Sequence, residues 1–292
     1  MALAEIKIEI FPAAVTAADN VLLELGLAEW SVLEDVVAKR AWVVGIFSDE
    51  PEARTRWEEL RPLLAGAQVT LLTKPVHQVL ADADWKESYK AHFQAWQFGS
   101  LHWVPVWERE KFHLPKGEKV LWLDPGMAFG TGNHETTRLV VERLVQLAEN
   151  RGTGGRVIDA GCGSGILALS AAKLGYQDIA AFDNDPLAVE VSKQNAVMND
   201  LAGRVDFFVG DLVSGLAGRQ AGLVLANIQS DVLMLFKIQL LASVAPAGVL
   251  VLSGILAQEL AQVREVFAAA APGWAVDSRA MGEWSDLVLT RS

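Results

Sequence analysis

The stretch with the most chemical content is VIDAGCGSG, from Val157 to Gly165. Val157 and Ile158 read as a buried strand that turns through three alternate glycines, Gly161, Gly163 and Gly165, into the apolar helix ILALSAAKLG. Glycine permits positive φ, and with no Cβ it lets a ligand approach the main chain. The spacing is G-x-G-x-G with Ile at 166, which departs from the G-x-G-x-x-G that seats a pyrophosphate. Asp159, two residues upstream, is an odd neighbour for a phosphate and suits a ligand carrying a cationic amino-acid group. The turn therefore leans toward S-adenosylmethionine rather than NAD. Taken alone it is weak, because a tight turn in an ordinary α/β protein looks the same.

Two later strand ends strengthen it. The apolar run DIAAFD ends at Asp183, about 20 residues beyond the turn, where a carboxylate can accept from both ribose hydroxyls. GLVLAN is a third buried strand ending in Asn227. Ligands of open α/β sheets sit beyond the carboxyl ends of the strands, so Asp159, Asp183 and Asn227 are expected to converge on one crevice.

Other reactive residue types carry less. Cys162 lies between glycines with no His nearby in sequence and reads as a small residue chosen for fit. His134 and Glu135, at the start of an expected helix, could serve as base or lid. Capping or loop fixing is the simpler role, with Thr136 or Asn133 as the cap. His77, His92, His102 and His113 lack metal-ligand spacing, so no metal is expected.

At 292 residues the chain has room for one large or two smaller cores. It is 51% hydrophobic and 21% charged, an ordinary globular composition. A net charge of −11 argues against direct nucleic-acid binding, and fits a small molecule, a basic protein partner or simple solubility. No apolar run spans a bilayer, and the single cysteine excludes an internal disulfide, so a cytoplasmic protein without a membrane segment is expected. Eight of ten tryptophans precede residue 123, which suggests two regions of different origin.

Stepping along the chain, residues 1–76 show a β-α-β-β-α-β rhythm, the ferredoxin-like split βαβ. The strands are IKIEIF, a stretch near 30–37, AWVVGIF and QVTLLTKPV, with helices over 17–28 and from Pro51 to near Gly66. Residues 77–98 read as a linker built on an amphipathic helix, and 99–292 as a second domain. There, strands HWVPVW and KVLWLD precede a helix from Thr136, after which RVIDA, DIAAF, RVDFFV, GLVLAN and GVLVLSG alternate with helices. WAVDSRAM and SDLVLTR are separated by Gly282–Trp284, too short for a parallel crossover, so they must pair antiparallel. A parallel sheet ending in one antiparallel strand is the architecture of S-adenosylmethionine-dependent methyltransferases.

DPGMAFGTGNHETT (124–137), VIDAGCGSG, FDNDP (182–186), ANI (226–228), LSGIL (252–256) and GEW (282–284) together resemble the ribosomal protein L11 methyltransferase family. The match is dense over about 84–292 and one of element order over 1–76. It implies a Rossmann-like, seven-stranded class I methyltransferase domain preceded by a small α+β ferredoxin-like substrate-recognition domain. It also implies S-adenosylmethionine as cofactor and trimethylation of lysine side chains and the N-terminal amine of ribosomal protein L11. By position, Thr137 and its loop would cover the cofactor, Gly161 and Gly163 would line it, Asp183 would hold the ribose, and Asn227 would sit beside the reacting methyl. After Asn-Ile the family often has Leu; here it is Gln229, which would alter the acceptor pocket.

Methyl transfer from a sulfonium to an amine is an in-line displacement, and the amine must be neutral. A lysine of ordinary pKa ~10.4 must lose its proton, and burial lowers that pKa. The site then contributes alignment and water exclusion. Asn227 is the first choice to orient the amine, and Phe129 and Trp284 are candidate aromatic walls for the methylated cation, although either could be plain packing. Other readings are a relative acting on another protein or a small molecule, and a non-catalytic cofactor-binding module; an NAD-dependent dehydrogenase comes last.

Overall fold

The computed structural model describes residues 3–24, 29–35, 40–80, 95–124 and 134–291. The chain divides into two compact units, Met1–His92 and Phe93–Ser292.

In the first unit, β1 (Leu3–Ile10), α1 (Val15–Glu24), β2 (Trp30–Asp35), β3 (Arg40–Phe47), α2 (Glu50–Gly66) and β4 (Val76–Leu80) follow the expected rhythm. The strands form one antiparallel sheet in the order β2-β3-β1-β4. Alternation along β1 builds its core: Ala4, Ile6, Ile8 and Ile10 are buried with Val43, Phe47, Trp57, Leu60 and Leu64. Asp49 caps α2 through Glu52 N at 2.8 Å, ahead of Pro51.

The last strand is displaced from the expected 68–76. Gln68 has φ +60, and Pro75 has no N–H to donate to a ladder. The segment between them joins β1 only through an isolated bridge of Leu71 to Ile10, with the Thr73 hydroxyl accepting from Glu9 N at 3.0 Å. The continuous ladder starts at Val76, where residues 76–80 pair with Lys7 back to Leu3. Residues 77–80 are therefore strand and not the start of a linker helix, and the first unit runs past residue 76. At its other end residues 96–98 of the expected linker are strand β5, and residues 81–94 lie outside the described residues.

The second unit opens with a three-stranded sheet: β5 (Trp96–Phe98), β6 (Leu101–Pro105) and β7 (Lys119–Leu123). Its Trp103, fully buried, donates from Nε1 to Ser170 Oγ at 2.9 Å. After it come α3 (Glu135–Arg151), β8 (Arg156–Ala160), α4 (Ile166–Leu174), β9 (Asp178–Asp183), α5 (Pro186–Met198) and β10 (Asp206–Val209). The unit closes with β11 (Ala221–Asn227), α6 (Ser230–Leu235), α7 (Lys237–Ala242), β12 (Val244–Leu256), α8 (Leu260–Ala270), β13 (Ala275–Met281) and β14 (Trp284–Thr290).

These strands form a seven-stranded sheet in the order β10-β9-β8-β11-β12-β14-β13. β14 runs antiparallel to both neighbours and sits one place in from the edge. The parallel strands are apolar on both faces, and alternate residues feed two cores. Val157, Leu225, Val249 and Val251 face one core, with Ile158, Val224, Leu250 and Leu252 facing the other. Arg143 of α3 ties this sheet to the helix layer, donating to fully buried Asp286 of β14 at 2.8 and 3.0 Å and to Asp277 of β13 at 2.6 Å. No helix among the described residues is long and apolar enough to cross a membrane.

Candidate active site

β9, β8 and β11 are consecutive parallel neighbours, so their carboxyl ends, carrying Asp183, the glycine turn and Asn227, open on the same edge of the sheet. From β8 the sheet grows one way through β9 and β10 and the other way through β11 and β12, and such sheets leave a crevice where the strand order switches sides.

Four residues hold the turn: Phe182, Asp183, Ser192 and Asn195. Gly161, Gly163 and Gly165 have φ +73, +52 and +77, all left-handed, where a side chain is strained. Gly161 N and Cys162 N both donate to Phe182 O at 2.9 Å, tying the turn to β9. Gly163 N donates to Asp183 Oδ2 at 2.9 Å. From behind, α5 contributes Ser192 Oγ to Gly163 O at 2.7 Å and Asn195 Nδ2 to Ser164 O at 2.9 Å. A Cβ on Gly161 would meet Ile228 Cγ2 at 2.6 Å, so this glycine lets the residue after Asn227 close against the turn.

Asp159 lies under the turn, fully buried. Gly165 stands at the N-cap of α4 and has no side chain to cap it, and Asp159 Oδ2 does so instead, accepting from Ala168 N at 3.0 Å. Its Oδ1 has no hydrogen-bond partner among the described residues. Burial pushes this carboxyl up to about 7, against the bond from Ala168, and the charge of Asp183 adds to the rise.

Asp183, at the tip of β9, is half-buried. Its Oδ1 accepts from Asp185 N at 3.0 Å, and Asp185 in turn caps α5 at Leu187 N. A carboxylate offers about four acceptor positions, and these two bonds leave room for ligand hydroxyls.

Asn227 and Thr137 come together: Asn227 Nδ2 donates to Thr137 Oγ1 at 3.3 Å. Thr137 is buried in the first turn of α3. That helix is capped by His134, whose Nδ1 accepts from Thr136 N at 3.4 Å and pairs with Thr136 Oγ1 at 2.8 Å. The cap is therefore His134 and not Thr136, since an imidazole nitrogen just before the helix reaches the second N–H as an Asn or Ser oxygen does. Asn133, the other expected cap, lies outside the described residues, as do Phe129 and Met127. Trp284 stacks edge-on against the His134 ring, 4.8 Å between centroids, so the turn between β13 and β14 abuts the start of α3.

Cys162 is buried, and burial raises its thiol, disfavouring the thiolate. Its Sγ lies 3.7 Å from Ser192 Oγ, consistent with a packing role. Gln229 is exposed. The sequence reading missed Ser192 and Asn195. Their only signal is a polar pair three apart on the helix expected between DIAAF and RVDFFV, and solvent exposure explains that equally well. The glycine cradle and the Asp183 carboxylate, with acceptor positions to spare, fit a nucleoside ligand, and the Asn227–Thr137 pair lies at the same edge of the sheet.

The family model for ribosomal protein L11 methyltransferase (PrmA) matches residues 4–292. A ribosomal protein L11 methyltransferase from Pelobacter propionicus is 37% identical over 257 residues, covering 86% of this chain and 82% of the relative. One from Geobacter metallireducens is 41% identical over 215 residues, with 73% and 68% covered. Among solved structures the chain is similar to a ribosomal protein L11 methylase from Lactobacillus delbrueckii subsp. bulgaricus, with TM-score 0.61 and 27% identity, over 68% of this chain and 100% of that one.

Proposed function

Because the chain belongs to the ribosomal protein L11 methyltransferase family, we propose that it uses S-adenosylmethionine to methylate lysine side chains and the N-terminal amine of ribosomal protein L11, up to trimethylation. The observation that carries this reading is the meeting of Asn227 and Thr137 beside a glycine turn bonded to Asp183.

When bound, the cofactor supplies a methyl group on a positively charged sulfur. Asp183 accepts from the ribose hydroxyls with the acceptor positions that Gly163 and Asp185 leave free. The glycine turn admits the ligand against its main chain. Thr137 holds the Asn227 amide by taking one of its N–H groups, which leaves the carbonyl oxygen to orient an incoming amine. The amine is mostly protonated in water at neutral pH; it gives its proton to solvent as it leaves water, because a dry pocket favours the neutral form, so alignment and water exclusion do most of the catalysis. The first unit presents the protein substrate, and the acidic chain attracts a basic partner.

The test is a mass-spectrometric methyl count on purified ribosomal protein L11 after incubation with the protein and S-adenosylmethionine. Stepwise gains of one methylene, lost in Asp183→Ala, are expected. No gain with S-adenosylhomocysteine still tightly bound moves the substrate to another protein or a small molecule. No binding of either cofactor form ends the reading.

A further inference from the structure

Asn227 sits at the end of a strand, where the backbone leaves the ladder: Gln229 is extended at ψ 143 and α6 begins at Ser230. Such a junction is a poor platform for a group that must be held within about 0.5 Å of its working position. In this protein the junction is gripped at three points. Asn227 is in register with Ser253 of β12 and bonded to Thr137. Ile228 lies against Gly254, where a Cβ would stand 2.3 Å from Ile228 O, and Gly254 takes φ +82 at a register shift between Leu252 and Ile255. Ser230, buried, donates from Oγ to Glu259 Oε2 at 2.7 Å, and Leu256 N donates to the same oxygen at 3.2 Å.

Glu259 is the unusual member. It makes no ion pair with any cation among the described residues, and its half-buried carboxylate takes two neutral donors from separate segments. A charged acceptor makes these bonds shorter and stronger than neutral ones. We infer that Glu259, acting through Ser230 and together with Gly254, is a positioning residue that fixes the Asn227–Ser230 junction and so sets the aim of the Asn227 amide at the acceptor amine. The inference rests on the proposed role of Asn227. Gln229, the one residue of the junction with no grip of this kind, is left exposed at its rim.

The experiment measures kcat and acceptor KM on ribosomal protein L11, with S-adenosylhomocysteine affinity and melting temperature, for Glu259→Ala, Glu259→Gln, Ser230→Ala, the Ser230→Ala/Glu259→Ala pair and Asn227→Ala. Glu259→Ala and Ser230→Ala should each lower kcat roughly tenfold while S-adenosylhomocysteine affinity moves less than about twofold. The pair should lose no more than either alone, because both cut one link. Glu259→Gln keeps a side-chain oxygen for both donors and should recover most of kcat. Wild-type kcat in Glu259→Ala and Ser230→Ala, with Asn227→Ala inactive, overturns the inference and leaves the site reading standing. Wild-type kcat in Asn227→Ala overturns the site reading itself. A kcat loss in Glu259→Ala that only tracks a lost melting transition, with Ser230→Ala unaffected, assigns Glu259 to folding and also overturns it.

Discussion

The side-chain amide of Asn227, at the end of the fourth strand of the sheet, donates at 3.3 Å to the hydroxyl of Thr137, in the first turn of a helix 90 residues earlier. One of the two amide hydrogens is thereby committed, and the carbonyl oxygen is aimed by that bond. Asn227→Ala should cut kcat roughly 100-fold, the scale expected from losing alignment at the reacting centre. Thr137→Val, which removes only the acceptor, should cost less in kcat, and steady-state kinetics on ribosomal protein L11 separate the two. Equal losses would mean that Thr137 meets substrate or cofactor directly.

Gly161 and Ile228 should behave as a coupled pair. Gly161→Ala places a methyl 2.6 Å from Ile228 Cγ2 and also strains a left-handed residue. The clash is with the side chain, so Ile228→Ala in the same protein removes it and leaves only the backbone strain, about 1–3 kcal/mol. Cofactor affinity by titration calorimetry should be poor in Gly161→Ala and partly restored in the double variant. No restoration would show that Ile228 is not what meets the new methyl.

Stability should depend on pH through Asp159. Its carboxyl, ordinarily at 3.8, is raised to about 7 by burial, opposed by the Ala168 bond and reinforced by Asp183. The folded protein therefore keeps a proton that the unfolded chain has released, and this group costs stability progressively as pH rises from about 4 to about 7, with no further change above. Asp159→Asn keeps an oxygen for Ala168 N and cannot titrate. Its melting temperature relative to wild type should rise from pH 5 to pH 8; a constant offset across that range would contradict the assignment.

The ion cluster joining α3 to the end of the sheet should divide sharply by burial. Asp286 is fully buried and accepts from Arg143, the Arg279 side chain and Arg279 N. Burial alone would lower the Arg143 guanidinium, but the hydrogen bonds and charges of Asp286 and Asp277 outweigh it and hold it above its ordinary value. Asp286→Ala leaves buried donors unpaired and should cost about 3–5 kcal/mol in urea denaturation. Asp277 is 68% exposed, and Asp277→Ala should cost under about 1 kcal/mol. Comparable losses would mean that packing around β14, and not the charge pairing, dominates.

Much of this protein was legible as residues in a row. Alternation of apolar residues places IKIEIF, RVIDA, DIAAFD and GLVLAN in strands, because strand periodicity is local. The three alternate glycines mark the turn, since positive φ is a property of single residues. The short gap at 282–284 decides that the last two strands pair antiparallel. Tertiary structure decided the rest. Asp159 reads in sequence as a ligand contact, and its cap on the helix that Gly165 cannot cap has no counterpart in the sequence pattern. The last strand of the first unit begins at Val76 because Pro75 cannot donate and β1 offers its ladder beyond it. Nothing local in the sequence assigns Ser192, Gly254 or Glu259 the contacts they make across the fold. Their partners are 29, 26 and 29 residues away at Gly163, Ile228 and Ser230. Hydrogen bonds and close approaches of that range exist only once the sheet order has brought distant strand ends side by side, and no periodicity along the chain encodes them.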